Sequence, residues 1–217
     1  MGKIILELQA EAINPDTNTI ALFRKAYLIA DKLGLDDFKE WLNNELNGYN
    51  KDSIYPSYRV ITGEMKFYHP YYGWRPVIWL GEGNLYETLT KREVSNSLHS
   101  LTSQSSSSDF DAYMKYPPDV SRTFKTSPSF ETEYALFIGR DVAPSIIECA
   151  RNKLLEWALL LEKNGILGEE LQFSEEEKAA ADAFKTVYNI NNFFGNAENV
   201  QIQQDSKNSN QNHTNNV

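Results

Sequence analysis

Cysteine is nearly absent from this chain of 217 residues, where Cys149 stands alone. A single thiol forms no internal disulfide, which fits a reducing cytoplasm. Histidine is scarce too, limited to His69, His99 and His213. Three histidines and one cysteine exclude the usual four-ligand zinc site built from one chain, and no metal is expected. Long apolar runs are missing: none exceeds five residues, as at Trp157–Leu161, against roughly 20 for a membrane-spanning helix. The opening Met-Gly-Lys-Ile-Ile-Leu-Glu has no long apolar stretch before Glu7, so a secretory signal is not expected. Leu6 stands where myristoylation of Gly2 would need Ser or Thr. The expected location is therefore cytoplasmic, with no membrane partner.

Catalytic signatures are also missing. The chain has no G-x-S-x-G, no Walker A loop, no H-E-x-x-H and no C-x-x-C. Gly81-Glu82-Gly83 lacks the third glycine of a dinucleotide loop and reads as a turn, so no cofactor is expected. Asp109-Phe110-Asp111 could offer two carboxylates to Mg²⁺, but beside a serine run it reads as a solvated loop. Positive charge is in short supply: 21 Lys and Arg against 30 Asp and Glu give a net charge of −9. An acidic surface repels phosphate at long range and argues against a general nucleic-acid binder, though not against a local basic groove.

What the chain does have is helical patterning. Ile4, Ile5, Leu8 and Ala12 mark one face, and Asn14-Pro15-Asp16 breaks it. Leu22, Phe23, Ala26, Ile29, Ala30 and Leu33 form a wide stripe closed by Gly34. A third helix is expected from Asp36 as N-cap, through Phe38, Trp41, Leu42 and Leu46, to Gly48. Residues 54–80 turn to Tyr, Trp, Phe, Val and Ile with proline punctuation, and predict two or three short antiparallel strands split at Gly63 and at His69–Gly73. Thr90-Lys-Arg-Glu93 has the form of a capping box and predicts a helix starting there, with Val94, Leu98 and Leu101 inside. Ser103–Ser108 reads as a polar linker, and residues 109–128, with three prolines, as irregular. Tyr134–Ile138 suits a buried strand or the lead into the next helix. That helix is the clearest element, from near Pro144 to Asn164-Gly165. Ser174-Glu-Glu-Glu177 is a second capping box, opening a last helix with Ala180, Ala183, Phe184 and Val187 inside.

The expected fold is thus α+β and mostly helical. One small antiparallel sheet at about 54–80 should pack on the N-terminal helices and a long C-terminal helix. A single domain should occupy residues 1–190. Residues 191–217 form a polar tail, and half of the 22 residues from 196 to 217 are Asn or Gln. Such a tail either stays disordered or orders only on self-association, through the alternation Val200-Gln-Ile-Gln203 and side-chain amide ladders.

Candidate binding residues concentrate in one segment. Trp41, Glu45, Tyr49, Tyr58 and Arg59 combine rigid aromatic contact area with a planar cation. Gly48 lets the chain double back, so Tyr58 and Arg59 can return to the preceding helix, near Arg24. Arg151 lies about 20° from Ala158 and 40° from Ile147 around its helix, on the apolar stripe. A guanidinium there must find a partner. It either pairs with a carboxylate on the first three helices or binds an anion in a groove, and Arg24 invites the same two readings.

The chain resembles the AbiTii-domain family of bacterial abortive-infection, phage-defence proteins. The resemblance rests on Leu-Gln-Ala-Glu-Ala (8–12), Phe23-Arg-Lys-Ala26, Lys32-Leu-Gly34, Trp41-Leu-Asn-Asn-Glu-Leu-Asn-Gly-Tyr49 and Pro56-Ser-Tyr-Arg59. It resumes in the segment from Ala150 to Glu169, which includes Arg151, Glu156 and Glu162, and at Phe173-Ser-Glu-Glu-Glu177. Residues 63–145 match only loosely, and Phe23 stands where the family usually has Leu. Residues 200–211 are similar to a short tail that follows several bacterial defence domains. The resemblance implies a role in stopping growth of an infected cell and carries over no catalytic residues. Three functions follow as expectations. The first is a non-enzymatic sensor or interaction module with a protein partner or anionic small ligand. The second is a toxin enzyme acting on nucleic acid or nucleotide through an Arg/Glu site. The third is a scaffold that self-assembles through its tail as a homo-oligomer.

Overall fold

The computed structural model of the chain describes residues 2–79, 84–105, 112–123 and 132–187. Three helices open it: α1 (Ile4–Ile13), α2 (Thr19–Lys32) and α3 (Asp36–Asn47). The Asn18 carboxamide caps α2 by accepting from the Ala21 N–H at 2.9 Å. Asp36, expected as the cap of α3, is instead its first helical residue. There it and Asp37 complement the positive end of the helix dipole. The stripes predicted from spacing are the buried ones. They close on α7 (Val142–Lys163), whose Ala150, Leu154, Trp157, Ala158 and Leu161 complete the main core. Phe38 of α3 stacks on Trp157 of α7 with ring centres 5.4 Å apart.

Strands β1 (Val60–Thr62), β2 (Glu64–His69) and β3 (Gly73–Pro76) follow, separated at Gly63 and the 69–73 turn as the sequence predicts. They serve two sheets. β1 pairs antiparallel with β4 (Lys91–Glu93), and its Ile61 packs on the main core. β2 and β3 join β5 (Ala112–Lys115) and β6 (Tyr134–Ile138) in a four-stranded antiparallel sheet of order β3-β2-β6-β5. Met65 and Leu136 on its inner face, with Tyr116 and Tyr134, form a second, smaller core. Tyr86 and Leu89 of α4 (Leu85–Thr90) and Val120 of α6 (Pro118–Thr123) cover it. The larger sheet thus carries its own core instead of lying on the N-terminal helices.

Three local expectations change. Thr90 ends α4 and does not open a helix: its hydroxyl donates back to the Tyr86 carbonyl at 2.8 Å, and residues 91–93 pair with β1. The next helix, α5 (Leu98–Ser105), starts later, with Leu98 and Leu101 buried in the main core as expected. Residues 109–128, expected to be irregular, hold β5 and α6, because strand partners far along the chain supply what local propensity does not. In α8 (Glu175–Val187), Ala180 packs against the main core as expected, but Ala181 is buried there and Ala183 is exposed, and the side chains of Phe184 and Val187 lie outside the described residues. The Ser174/Glu177 capping box is present: the Glu177 N–H donates to Ser174 Oγ at 3.2 Å, and the Ser174 N–H to Glu177 Oε2 at 2.8 Å. Asp109–Asp111 and the tail 191–217 lie outside the described residues.

Candidate functional site

The segment singled out by the sequence does assemble, and what it builds is a lock. Gly48 leaves α3 at φ +96°, and a Cβ there would sit 2.9 Å from the Ser95 carbonyl oxygen. The turn therefore requires glycine. The chain reverses, and Tyr58 and Arg59 come back over Glu45. Glu45 Oε1 accepts from the hydroxyls of Tyr49 and Tyr58, each at 2.7 Å, and from Arg59 Nε at 3.2 Å. Arg59 Nη2 closes the fork on Glu45 Oε2. Arg59 Nη1 donates to the carbonyls of Val94 and Asn96, at 3.2 and 2.6 Å. Trp41 Nε1 donates to the Tyr58 hydroxyl at 2.9 Å, and the Tyr49 ring lies under the guanidinium, 5.0 Å from its carbon.

Both Glu45 and Arg59 are 0% exposed. Burial, together with the Glu45 charge, pushes the Tyr49 and Tyr58 hydroxyls well above their ordinary value, so both stay protonated as donors. Burial acts to lower the Arg59 guanidinium, but the hydrogen bonds and charge of Glu45 more than reverse it. With four donors on a carboxylate closed off from solvent, Glu45 has no route to a substrate proton. The geometry satisfies a buried ion pair.

Arg151 is buried as well, and its partners are not the carboxylate expected for it. Its guanidinium donates to the carbonyls of Ala12 (3.0 Å), Asn14 (2.8 Å) and Thr17 (3.2 Å) and to Thr19 Oγ1 (3.1 Å). The break at Asn14-Pro15 leaves the last carbonyls of α1 without helical partners, and they carry the negative end of its dipole. Gln9 of α1 donates to Glu162 of α7 across the same seam at 2.9 Å, while Glu156 pairs within α7, with Lys153 at 2.7 Å.

Arg24 does not join Glu45. It is exposed and lines a groove with Asn43 and Asn47, two residues and so about 200° around α3 from Glu45. The three arginines hold separate sets of neighbours and do not converge.

The open surface lies on the larger sheet. Side chains alternate across a strand, so Met65 and Leu136 point inward while Tyr68, Trp74, Tyr113 and Phe137 share the outer face. Tyr68 stands opposite Trp74, and Tyr113 opposite Phe137. Trp74 contacts the rings of Tyr68, Tyr113 and Phe137 at centroid distances of 5.4, 5.7 and 5.3 Å, and Tyr113 stacks on Phe137 at 5.2 Å. Lys66 Nζ lies 4.6 Å from the Phe137 ring centre. Two ion pairs edge the patch: Lys66–Glu64 at 3.0 Å and Lys115–Glu133 at 2.7 Å. Tyr68 and Tyr113 remain 45% and 47% exposed, and a concavity of about 620 Å³ opens between them, with Pro70 and Thr132 at its edge.

Sequence reasoning missed this face because its rings come from three separate segments. The signal was the alternation around Tyr113 and Lys115, set among prolines. No helix among the described residues is long and apolar enough to cross a membrane, and no metal-ligand cluster occurs among them. A protein-family model, AbiTii, matches residues 3–186, while no curated protein and no solved structure matches the chain.

Proposed function

Because the chain belongs to the AbiTii family of bacterial abortive-infection proteins, we propose that it serves phage defence as a non-enzymatic recognition module docking a protein partner on the aromatic face of its larger sheet. Family membership carries the defence role. The recognition reading rests on one observation: Tyr68, Trp74, Tyr113 and Phe137 stand together on an outward sheet face. Tyr and Trp are the residues that dominate binding energy at protein interfaces. The rim favours protein over nucleic acid, because each lysine beside the rings is already paired with a carboxylate and the chain carries a net charge of −9. The fitting partner is apolar at its centre and carries both signs of charge at its edge.

An Arg/Glu toxin site would use Glu45 as its base, and Glu45 is closed off by its four donors. The scaffold alternative rests on the tail, outside the described residues.

The test is phage challenge of bacteria expressing the wild type or the Trp74→Ala/Tyr113→Ala double variant, with circular dichroism of both purified proteins. Loss of protection with the fold retained is the expected result. Full protection by the folded double variant overturns the reading. So does quenching of tryptophan fluorescence by oligothymidylate that the double substitution abolishes, since the face would then be a nucleic-acid platform.

A further inference from the structure

A second concavity, of about 360 Å³, lies among α2, α3 and α5. Its apolar part is Ile20 and Leu46, and its polar part is Arg24, Tyr27, Asn43, Asn47 and His99. No carboxylate lines it, in a chain where acids outnumber bases 30 to 21. Arg24 has no ion pair or side-chain hydrogen bond among the described residues. The reason is visible along its helix, where Ile20, Ala21, Tyr27 and Leu28 occupy the positions three and four residues away. Lys25 next to it bonds to Glu11 and lies 4.0 Å from Glu7. His99 likewise has Asn96, Thr102 and Ser103 as its helical neighbours, none of them charged. Asn47 Nδ2 donates to Asn43 Oδ1 at 2.8 Å. That bond fixes both amides and leaves the Asn43 N–H pair unused among the described residues.

We propose that this groove binds a phosphate-bearing small molecule of about the size of a nucleoside monophosphate. The guanidinium of Arg24 is a planar fork for two phosphate oxygens. The Asn43 amide and the His99 ring add donors from two further helices. A tetrahedral anion with three outward oxygens can use donors from all three elements, whereas a planar carboxylate would be satisfied by the arginine alone. The Tyr27 ring, Ile20 and Leu46 offer apolar contact to the organic part. The cavity is at the small end of the range for ligand pockets, which limits the ligand to a single such unit.

Isothermal titration of the full chain with AMP, inorganic phosphate and adenosine tests this. AMP should bind more tightly than either of its parts. Arg24→Gln should weaken AMP by about tenfold or more, the effect of losing a charge-assisted hydrogen bond. Its melting temperature should be unchanged, because Arg24 is exposed. Trp74→Ala on the sheet should bind AMP as the wild type does, so the two sites are separable. Equal affinity for phosphate and AMP overturns the organic half of the site. Failure of AMP to bind at millimolar concentration, or undiminished binding by Arg24→Gln, overturns the site itself.

Discussion

The helical part and the larger sheet treat their polar and aromatic groups in opposite ways. In the helices, Trp41, Glu45, Tyr49, Tyr58, Arg59 and Arg151 are consumed by one another or by backbone carbonyls. On the sheet, Tyr68, Trp74, Tyr113 and Phe137 pack on one another's rings and stay partly exposed. The residues that carry the family resemblance lie in the helical part, those six among them, and the sheet falls in the loosely matching stretch 63–145. A buried charge admits few substitutes, since losing one partner strands the other. A recognition face can change with its partner. The buried motif residues therefore mark how the domain holds together, while the exposed motif residues Arg24, Asn43 and Asn47 and the outer face of the weakly matching stretch are open to the outside.

That contrast breaks if the helical cluster tolerates truncation. Glu45→Ala or Arg59→Ala should each cost about 3–5 kcal/mol in urea denaturation, because the remaining charge is left buried and unpaired. Replacing both at once, Glu45→Leu with Arg59→Met, should recover a large part of that loss. Arg151→Ala comes next. Removing donors from the carbonyls of Ala12, Asn14 and Thr17, at the end of α1 and in the loop after it, should cost about 2–3 kcal/mol, with Arg151→Lys recovering only part, since an ammonium lacks the planar fork.

Glu177 gives a smaller and pH-dependent effect. Burial acts to raise its carboxyl, but N–H donation from Gly168, Ser174 and Leu167 outweighs this and holds it below the ordinary value of 4.5. A carboxyl depressed in the folded state stabilises fully above its unfolded pKa, and that contribution is lost as pH falls through the folded one. Glu177→Gln should therefore cost about 1 kcal/mol at neutral pH, and the gap to wild type should close as pH falls below 4.5. The smallest loss is expected on the sheet: Tyr113→Ala should cost less than about 1 kcal/mol. A loss at Tyr113 as large as at Glu45 would make the aromatic face structural too.

Much of the helical part was legible because its signals are local. Apolar spacing placed the stripes, Gly48 placed the reversal, and Ser174 with Glu177 placed the start of α8. The meeting of Glu45 with Arg59 followed from that reversal. What stayed hidden depends on distant partners. Thr90-x-x-Glu93 has the form of a capping box, yet pairing with β1 makes residues 91–93 a strand. β5 has only four residues and becomes a strand through β6, some twenty positions on. Arg151 announced that it needed a partner but not which one, because backbone carbonyls carry no sequence signature.

The seam between α1 and α7 has a consequence for the order of synthesis. Ile4, Ile5 and Leu8 are buried in the core that α7 completes, and Arg151 reaches residues 132 to 139 positions earlier in the chain. Contacts of such separation close slowly, because the intervening loop must be ordered first. At bacterial elongation speeds of about 5–20 residues per second, α1 leaves the ribosome roughly 7–30 s before the helix that covers it. Over that interval its apolar face is open to chaperones, and a chain cut short before α7 keeps it open for good.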